Sequence, residues 1–359
     1  MKRIRPFDQV RHRAADDRAA ACAGATKRGL PAQRNDGLQF ARGLACLGVF
    51  LGHAGYYSGV LSQHQAPDWL MGQLPTFGVL LFFVLSGFLM GRIAVAGRTT
   101  AGQFAWHRFA RIYPSYWIAV LLNVLVLLAL NQPVAAPDPT YLLLLPLNFG
   151  GTPYEIPAWT LIYESMFYML VCALIALRAG KRTLLTFCLV WATAIIALDY
   201  AELVYFHHVA PGRFIFVSRM NLLFIAGMLL ALIGTRWFAR VPFAVLLVAA
   251  VGLWWVGLKL SPMLVVPHLA FVTSSALTLI AFSQVTWKSR VLVSLGDASY
   301  GIYLVHYFVL TALFRLAARA GLVASLPVAF AGFVVLGLAI SWAYGALEFS
   351  LYRKVTAKT

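Results

Sequence analysis

Ten apolar stretches, each near the 20 residues that a helix needs to cross a bilayer, dominate this 359-residue chain. They lie at 38–60, 77–97, 113–131, 159–178, 183–200, 214–234, 241–258, 263–283, 295–315 and 325–349. Hydrophobic residues make up 61% of the chain and charged residues 11%, against about 25% charged in an average soluble domain. One water-soluble core cannot hide that much apolar surface, whereas hydrocarbon can. Within hydrocarbon every backbone N–H and C=O has to pair, and runs of this length and composition pair as helices. The expected fold is therefore an all-α, polytopic transmembrane helical bundle of about 10 spans.

The formal charge of +17 raises nucleic-acid binding as a class. The basic residues are scattered between apolar runs rather than gathered on one domain, which excludes it. The positive-inside rule accounts for them instead. With the N-terminus inside, the inner loops and C-terminal tail hold 14 Lys/Arg and the outer loops four, namely Arg213, Lys259, Arg315 and Arg319. Both termini are expected to be cytoplasmic. Residues 1–36 carry nine Lys/Arg and four Asp. The segment has little to bury, is expected to be a disordered cytoplasmic tail, and lacks the pattern of a secretory signal. The transmembrane domain then covers 37–352, with a short tail at 353–359.

Three shorter features complete the outline. Residues 141–149 are apolar but too short to span, and Pro146 interrupts them, so they are expected to form a re-entrant or interfacial segment. Cys22, Cys46, Cys172 and Cys188 have no metal-ligand spacing and are read as packing residues. No internal repeat is evident. His207 and His208 are adjacent in an outer loop, but no third ligand is near them in sequence, and no metal site is expected.

The loops are short, so any chemistry has to come from residues in or beside the helices. Arg42 and His53 lie 11 residues apart in the first span. That spacing is three turns, which puts both on one helix face about 16 Å apart along the axis. Ionisable groups in a span are costly and normally face a bundle interior or a wet cavity. From spacing alone, two readings stand: a functional pair, or Arg42 snorkelling to the interface with His53 hydrogen-bonded in the bundle. Gly43, Gly48 and Gly52 would let neighbouring helices approach.

The second span contains Phe82, Ser86 and Gly87. Ser-Gly suits close packing, and Ser86 is also a candidate polar contact in a cavity. Arg108 and Arg111, three apart, would project from neighbouring helix positions as a fork suited to phosphates, though basic residues at an inner end are expected anyway. Tyr116 and Trp117 read as an interfacial belt. Glu164, a turn inside the fourth span, needs a partner and is expected at the depth of His53. His306 in the ninth span either lines the same cavity or packs, and Glu348 near the end of the last span reads as a local contact.

Taken in order, these segments resemble the acyltransferase-3 family of membrane acyltransferases. The resemblance rests on five elements: Arg42-x10-His53; Phe82-x3-Ser86-Gly87; Arg108-x2-Arg111 with Pro114, Tyr116 and Trp117; Trp159 through Tyr168; and Ser299 through His306. It covers 38–350 and implies an O-acyltransferase of the stand-alone form, in a bacterial cytoplasmic membrane. The implied donor is cytoplasmic acyl-CoA, commonly acetyl-CoA. The implied acceptor is a hydroxyl of a carbohydrate or lipid-linked glycan. Arg42 and His53 correspond to the family's essential pair. On that basis His53 is the expected general base, Glu164 its orienting partner, and Arg42 a guide for the donor at the cavity mouth. Arg108 and Arg111 are the expected phosphate ligands, with Ser86 a donor contact. Trp159, Tyr168 and His306 are expected to line the substrate cavity. A transporter or flippase for a lipid-linked or anionic solute is the competing class; the missing repeat speaks against it.

Overall fold

Each of the ten apolar windows contains a helix in the computed structural model, which describes residues 35–134, 136, 138–146, 157–201, 212–260, 265–285 and 289–356. The helices are α1 (Asp36–Ser62), α2 (Leu74–Ala96), α3 (Ala101–Ala129), α4 (Ala158–Ala176), α5 (Lys181–Tyr200), α6 (Asn221–Ile233), α7 (Phe243–Lys259), α8 (Val265–Ser283), α9 (Arg290–Arg319) and α10 (Leu326–Thr356). Single π turns, Trp69–Gln73 and Phe333–Gly337, precede α2 and interrupt α10. No strand occurs among the described residues. The tail at 1–34, and His207 and His208, lie outside them.

Eight of the helices are long and apolar enough to cross a membrane. The other two, α6 and α7, have 13 and 17 residues. At 1.5 Å per residue, α6 reaches about 20 Å, well short of a hydrocarbon core. Its consecutive Leu222, Leu223, Phe224 and Ile225 are all buried. A helix packed against protein along most of its surface has little need to match the bilayer's thickness, so hydropathy found α6 but could not measure it.

The inner helices form a row. α1 lies between α2 and α9; α2 continues to α6, and α9 to α10, while α7 and α8 pair beside them. Small residues set these approaches. A Cβ on Gly87 would meet the Phe224 carbonyl oxygen at 2.1 Å, and one on Gly227 would meet the Val84 carbonyl oxygen at 2.0 Å. Gly43 faces Leu295 and Gly296 of α9, while Gly48 and Gly52 face Leu74 and Pro75 at the start of α2. Close approach of this kind is how helices associate where lipid removes the hydrophobic driving force.

The 141–149 segment is a single turn, Pro139–Leu142, capped by Asp138, with 147–149 outside the described residues. The aromatic belt of α3 has a specific task there. Tyr113 Oη donates to the Leu143 carbonyl (3.0 Å), Tyr116 Oη to that of Tyr141 (2.9 Å) and Trp117 Nε1 to that of Leu142 (2.8 Å). Irregular backbone against a bundle is tolerated only when its carbonyls find such donors.

Candidate active site

The ionisable side chains gather in two places on α1, three turns apart. The first surrounds Arg42. Its neighbours come from helices distant in sequence: Arg111 (α3), Glu164 and Tyr168 (α4) and Asp297 (α9) lie close enough to influence its guanidinium. No hydrogen bond is made by Arg42, and its buried Nε has no partner among the described residues. Arg108 is in the same condition. Its guanidinium lies over the rings of Phe104 (5.7 Å) and Tyr168 (5.4 Å), and its buried Nε is also unpartnered. A guanidinium with an unpartnered buried Nε is chemically suited to meet an anion.

Arg111, expected to share that work, is already committed. Its Nη1 donates to Glu348 Oε1 at 3.1 Å, and its guanidinium lies over the rings of Tyr300 (4.6 Å) and Tyr352 (4.8 Å). Ser115 Oγ donates to the same carboxylate at 3.1 Å. Glu348 is thus a long-range latch between α3 and α10, not a contact local to the last helix. The reason lies in the fold: a buried carboxylate on α10 faces α3, and Arg111 is the arginine within hydrogen-bond reach of it among the described residues.

Glu164 also differs from expectation. It accepts hydrogen bonds from Ser86 Oγ (3.2 Å) and from Tyr168 Oη. Its neighbours put it with Arg42, not with His53. The discrepancy has a geometric cause: α2 and α4 pack so that Ser86 is within reach of Glu164, whereas counting residues from the helix ends cannot resolve one or two turns of depth. Trp159 packs edge-on against Phe83 and Tyr163 (6.3 and 6.4 Å between ring centres), within an aromatic stack.

The second centre is built on His53. His306, almost fully buried, brings its Nε2 to 3.1 Å from His53 Nδ1. The two carbonyl partners fix both tautomers. His306 Nδ1 lies 2.7 Å from the Tyr303 carbonyl, and His53 Nδ1 lies 3.0 Å from that of Val49. A carbonyl only accepts, so each Nδ1 carries the proton. His306 Nε2 is then the lone pair that accepts from His53 Nδ1–H. The remaining nitrogen, His53 Nε2, is an unprotonated acceptor without a partner among the described residues. A nitrogen in that state can accept a proton, and its ring is held by a histidine rather than by a carboxylate.

A polar seam joins the two centres. Thr160 lies one turn before Glu164 on α4. Its hydroxyl donates to the Pro157 carbonyl (3.0 Å) and accepts from Tyr303 Oη (2.9 Å). The Tyr303 ring stands 5.6 Å from that of His306. Thr160 and Tyr303 fall within two of the elements quoted above but had no role of their own there, because hydroxyl residues are ordinary in membrane helices. Among the described residues, no three His, Cys, Asp or Glu side chains cluster as metal ligands. An open apolar crevice of about 750 Å³ between α4 and α5, lined by Leu170, Leu174, Phe187 and Trp191, contains none of these groups.

The chain is similar to several known proteins. Exopolysaccharide production protein ExoZ of Rhizobium meliloti (strain 1021) is 27% identical over 312 residues, 78% of this chain and 90% of that protein. Acyltransferase MdmB of Streptomyces mycarofaciens is 27% identical over 308 residues, 75% of this chain and 77% of that protein. Protein 2 in the picA locus of Rhizobium radiobacter is 31% identical over 197 residues, 48% of this chain and 96% of that protein. No solved structure gives a significant match. The acyltransferase-3 profile, described as Acyltransferase domain, matches residues 35–346, nearly the whole helical bundle, and the chain belongs to that family of membrane acyltransferases.

Proposed function

We propose that this membrane acyltransferase moves an acetyl group from cytoplasmic acetyl-CoA to a hydroxyl of an envelope or exported polysaccharide or its lipid-linked precursor, with His53 as general base. The observation that carries the reading is the free Nε2 of His53, left as an acceptor by the tautomers of the histidine pair. A hydroxyl attacking a thioester needs its proton removed during attack, and a neutral imidazole suits that task near neutral pH. After collapse the same imidazolium returns the proton to the leaving thiolate.

The donor side follows from charge. Acyl-CoA is polyanionic, and Arg42 and Arg108 have open guanidinium donors. With both termini cytoplasmic, as the loop charges favour, this basic centre opens toward the donor's compartment. The phosphates rest on it while the long, flexible arm carries the thioester along the seam past Tyr303 toward His53. Ser86 and Tyr168 hold Glu164 beside Arg42, which limits the positive charge of the empty site. Arg111 keeps α10 in place rather than binding phosphate. The carbohydrate acceptor is supported by the similarity to a protein named for exopolysaccharide production.

The test uses membranes carrying the protein and labelled acetyl-CoA. Label should enter a polysaccharide or glycolipid fraction with the native protein and not with His53→Ala. Wild-type labelling by a correctly inserted His53→Ala protein would reject the assignment.

A further inference from the structure

Transfer from a thioester passes through a tetrahedral oxyanion, and nothing described so far stabilises that charge. Three tyrosines surround the histidine pair, and two of their hydroxyls are occupied. Tyr303 Oη donates to Thr160. Tyr57 Oη lies 2.5 Å from Thr311 Oγ1, whose own proton goes to the Tyr307 carbonyl at 2.8 Å, so Tyr57 is the donor to Thr311. The third, Tyr307, makes no hydrogen bond through its hydroxyl among the described residues, and it is only partly buried. Its ring meets that of His53 edge-on, 5.1 Å between centres and 89° between planes. Tyr57 also packs against it, 6.0 Å between ring centres, and the Thr311 bond holds its backbone.

We infer that Tyr307 is a catalytic hydrogen-bond donor that stabilises the oxyanion of the thioester carbonyl; the inference rests on His53 as the base. The acceptor's O–H proton passes to His53 Nε2 as its oxygen bonds to the thioester carbon. The carbonyl π pair moves onto oxygen, where the Tyr307 O–H donates to it. Collapse re-forms the carbonyl, breaks the C–S bond, and the departing thiolate takes the proton from the His53 imidazolium. A phenol packed against the base, with no hydrogen bond of its own hydroxyl among the described residues, is suited to this, because it gives up no other partner as the charge appears.

The experiment follows labelled acetyl-CoA into the endogenous glycan of membranes carrying native protein, Tyr307→Phe, O-methyltyrosine at 307, or His53→Ala. Acetyl-CoA affinity is measured on each purified protein. Loss of one oxyanion donor lowers turnover on the order of 100-fold or more. The expected result is that loss in both Tyr307 variants, with acetyl-CoA affinity within about twofold of native. O-methyltyrosine keeps the ring and the oxygen but cannot donate, so restored turnover with it overturns the inference. Native turnover in Tyr307→Phe, or a loss matched by weaker acetyl-CoA binding, also overturns it. If Tyr307→Phe is fully active while His53→Ala is inactive, the donor role fails and the base survives. If His53→Ala is fully active, the base itself fails.

Discussion

His306 Nε2 accepts from His53 Nδ1–H at 3.1 Å, so the proposed base is held by a second histidine anchored on the Tyr303 carbonyl. Replacing His306 by Phe removes that acceptor while keeping an aromatic ring in the buried site. His53 Nδ1–H still has the Val49 carbonyl, so the correct tautomer survives but the ring loses a constraint. Turnover is expected to fall about 10- to 100-fold, less than in His53→Ala, since positioning is a part of what acid–base groups contribute. Steady-state turnover of the two variants compared directly checks it, and an equal loss would mean that His306 does more than orient.

The two arginines of the Arg-x2-Arg pair are predicted to fail in different ways. Arg108 has an unpartnered buried Nε and no ion pair among the described residues. In Arg108→Gln, acetyl-CoA should bind roughly 10- to 100-fold more weakly, the worth of a charge-assisted hydrogen bond of about 1.5–3 kcal/mol, with thermal stability little changed. Arg111→Gln strands the buried Glu348 carboxylate, which costs about 3–5 kcal/mol in comparable buried pairs. It should unfold at a lower temperature, and Arg111→Gln/Glu348→Gln should recover part of the loss. Binding isotherms and thermal melts in detergent separate the two outcomes.

A side chain at Gly227 would drive α6 off α2. The Cβ of any substitution would lie 2.0 Å from the Val84 carbonyl oxygen and 2.6 Å from the Phe88 nitrogen, which is backbone on both counts and cannot turn aside. Gly227→Val is therefore expected to destabilise by about 1–3 kcal/mol or more, as overpacking does. Gly252, with nothing within 4 Å of a built Cβ, should accept Ala without loss. Melting temperatures of the two variants provide the comparison.

Orientation is open to chemical labelling. Gln65 and Arg98 are both exposed, in the segments that precede and follow α2. In a Cys22→Ser/Cys172→Ser background, Gln65→Cys should react with a membrane-impermeant maleimide in intact cells and Arg98→Cys only after permeabilisation. Cys46 and Cys188 are buried and contribute little background. The reverse pattern would invert the bundle and put the basic centre on the wrong side for a cytoplasmic donor.

Hydropathy was enough to find ten helices, because the period of burial in lipid is the length of the helix itself. It could not show that α6 is shorter than a bilayer, since a helix enclosed by other helices is as apolar as one facing lipid. Arg42 and His53 stood out as expensive groups in an apolar run, and Arg108 as half of an arginine pair at an inner helix end. Their partners did not. Glu164 pairs with Ser86 78 positions away and Glu348 with Arg111 237 positions away, so both assignments depend on which helices touch. His306 was visible only as one of two alternatives, because a histidine in a span looks the same in sequence whether it packs or orients another ring. Tyr307 carried no signal at all beyond being next to His306.

Asn123 poses the last question. It is fully buried in α3, and neither atom of its amide has a partner among the described residues. It lies on the face that carries Ile112, Tyr116, Ala119, Val120 and Leu127, all buried. Two contacts fix what that face meets: Tyr300 Oη donates to the Ile112 carbonyl at 3.1 Å, and Arg319 Nη2 donates to the Leu130 carbonyl. These run α3 parallel to α9 and bring Asn123 to the level of Thr311, one turn beyond Tyr307. Burying an unpaired amide costs about 1–3 kcal/mol. Asn123→Leu, of similar volume and without polar atoms, should raise the melting temperature by a few degrees. If it instead lowers the melting temperature, the amide is satisfied by a bound water or lipid. If it raises stability while abolishing transfer, the amide is kept for the reaction at the cost of stability, as unsatisfied polar groups beside active sites often are.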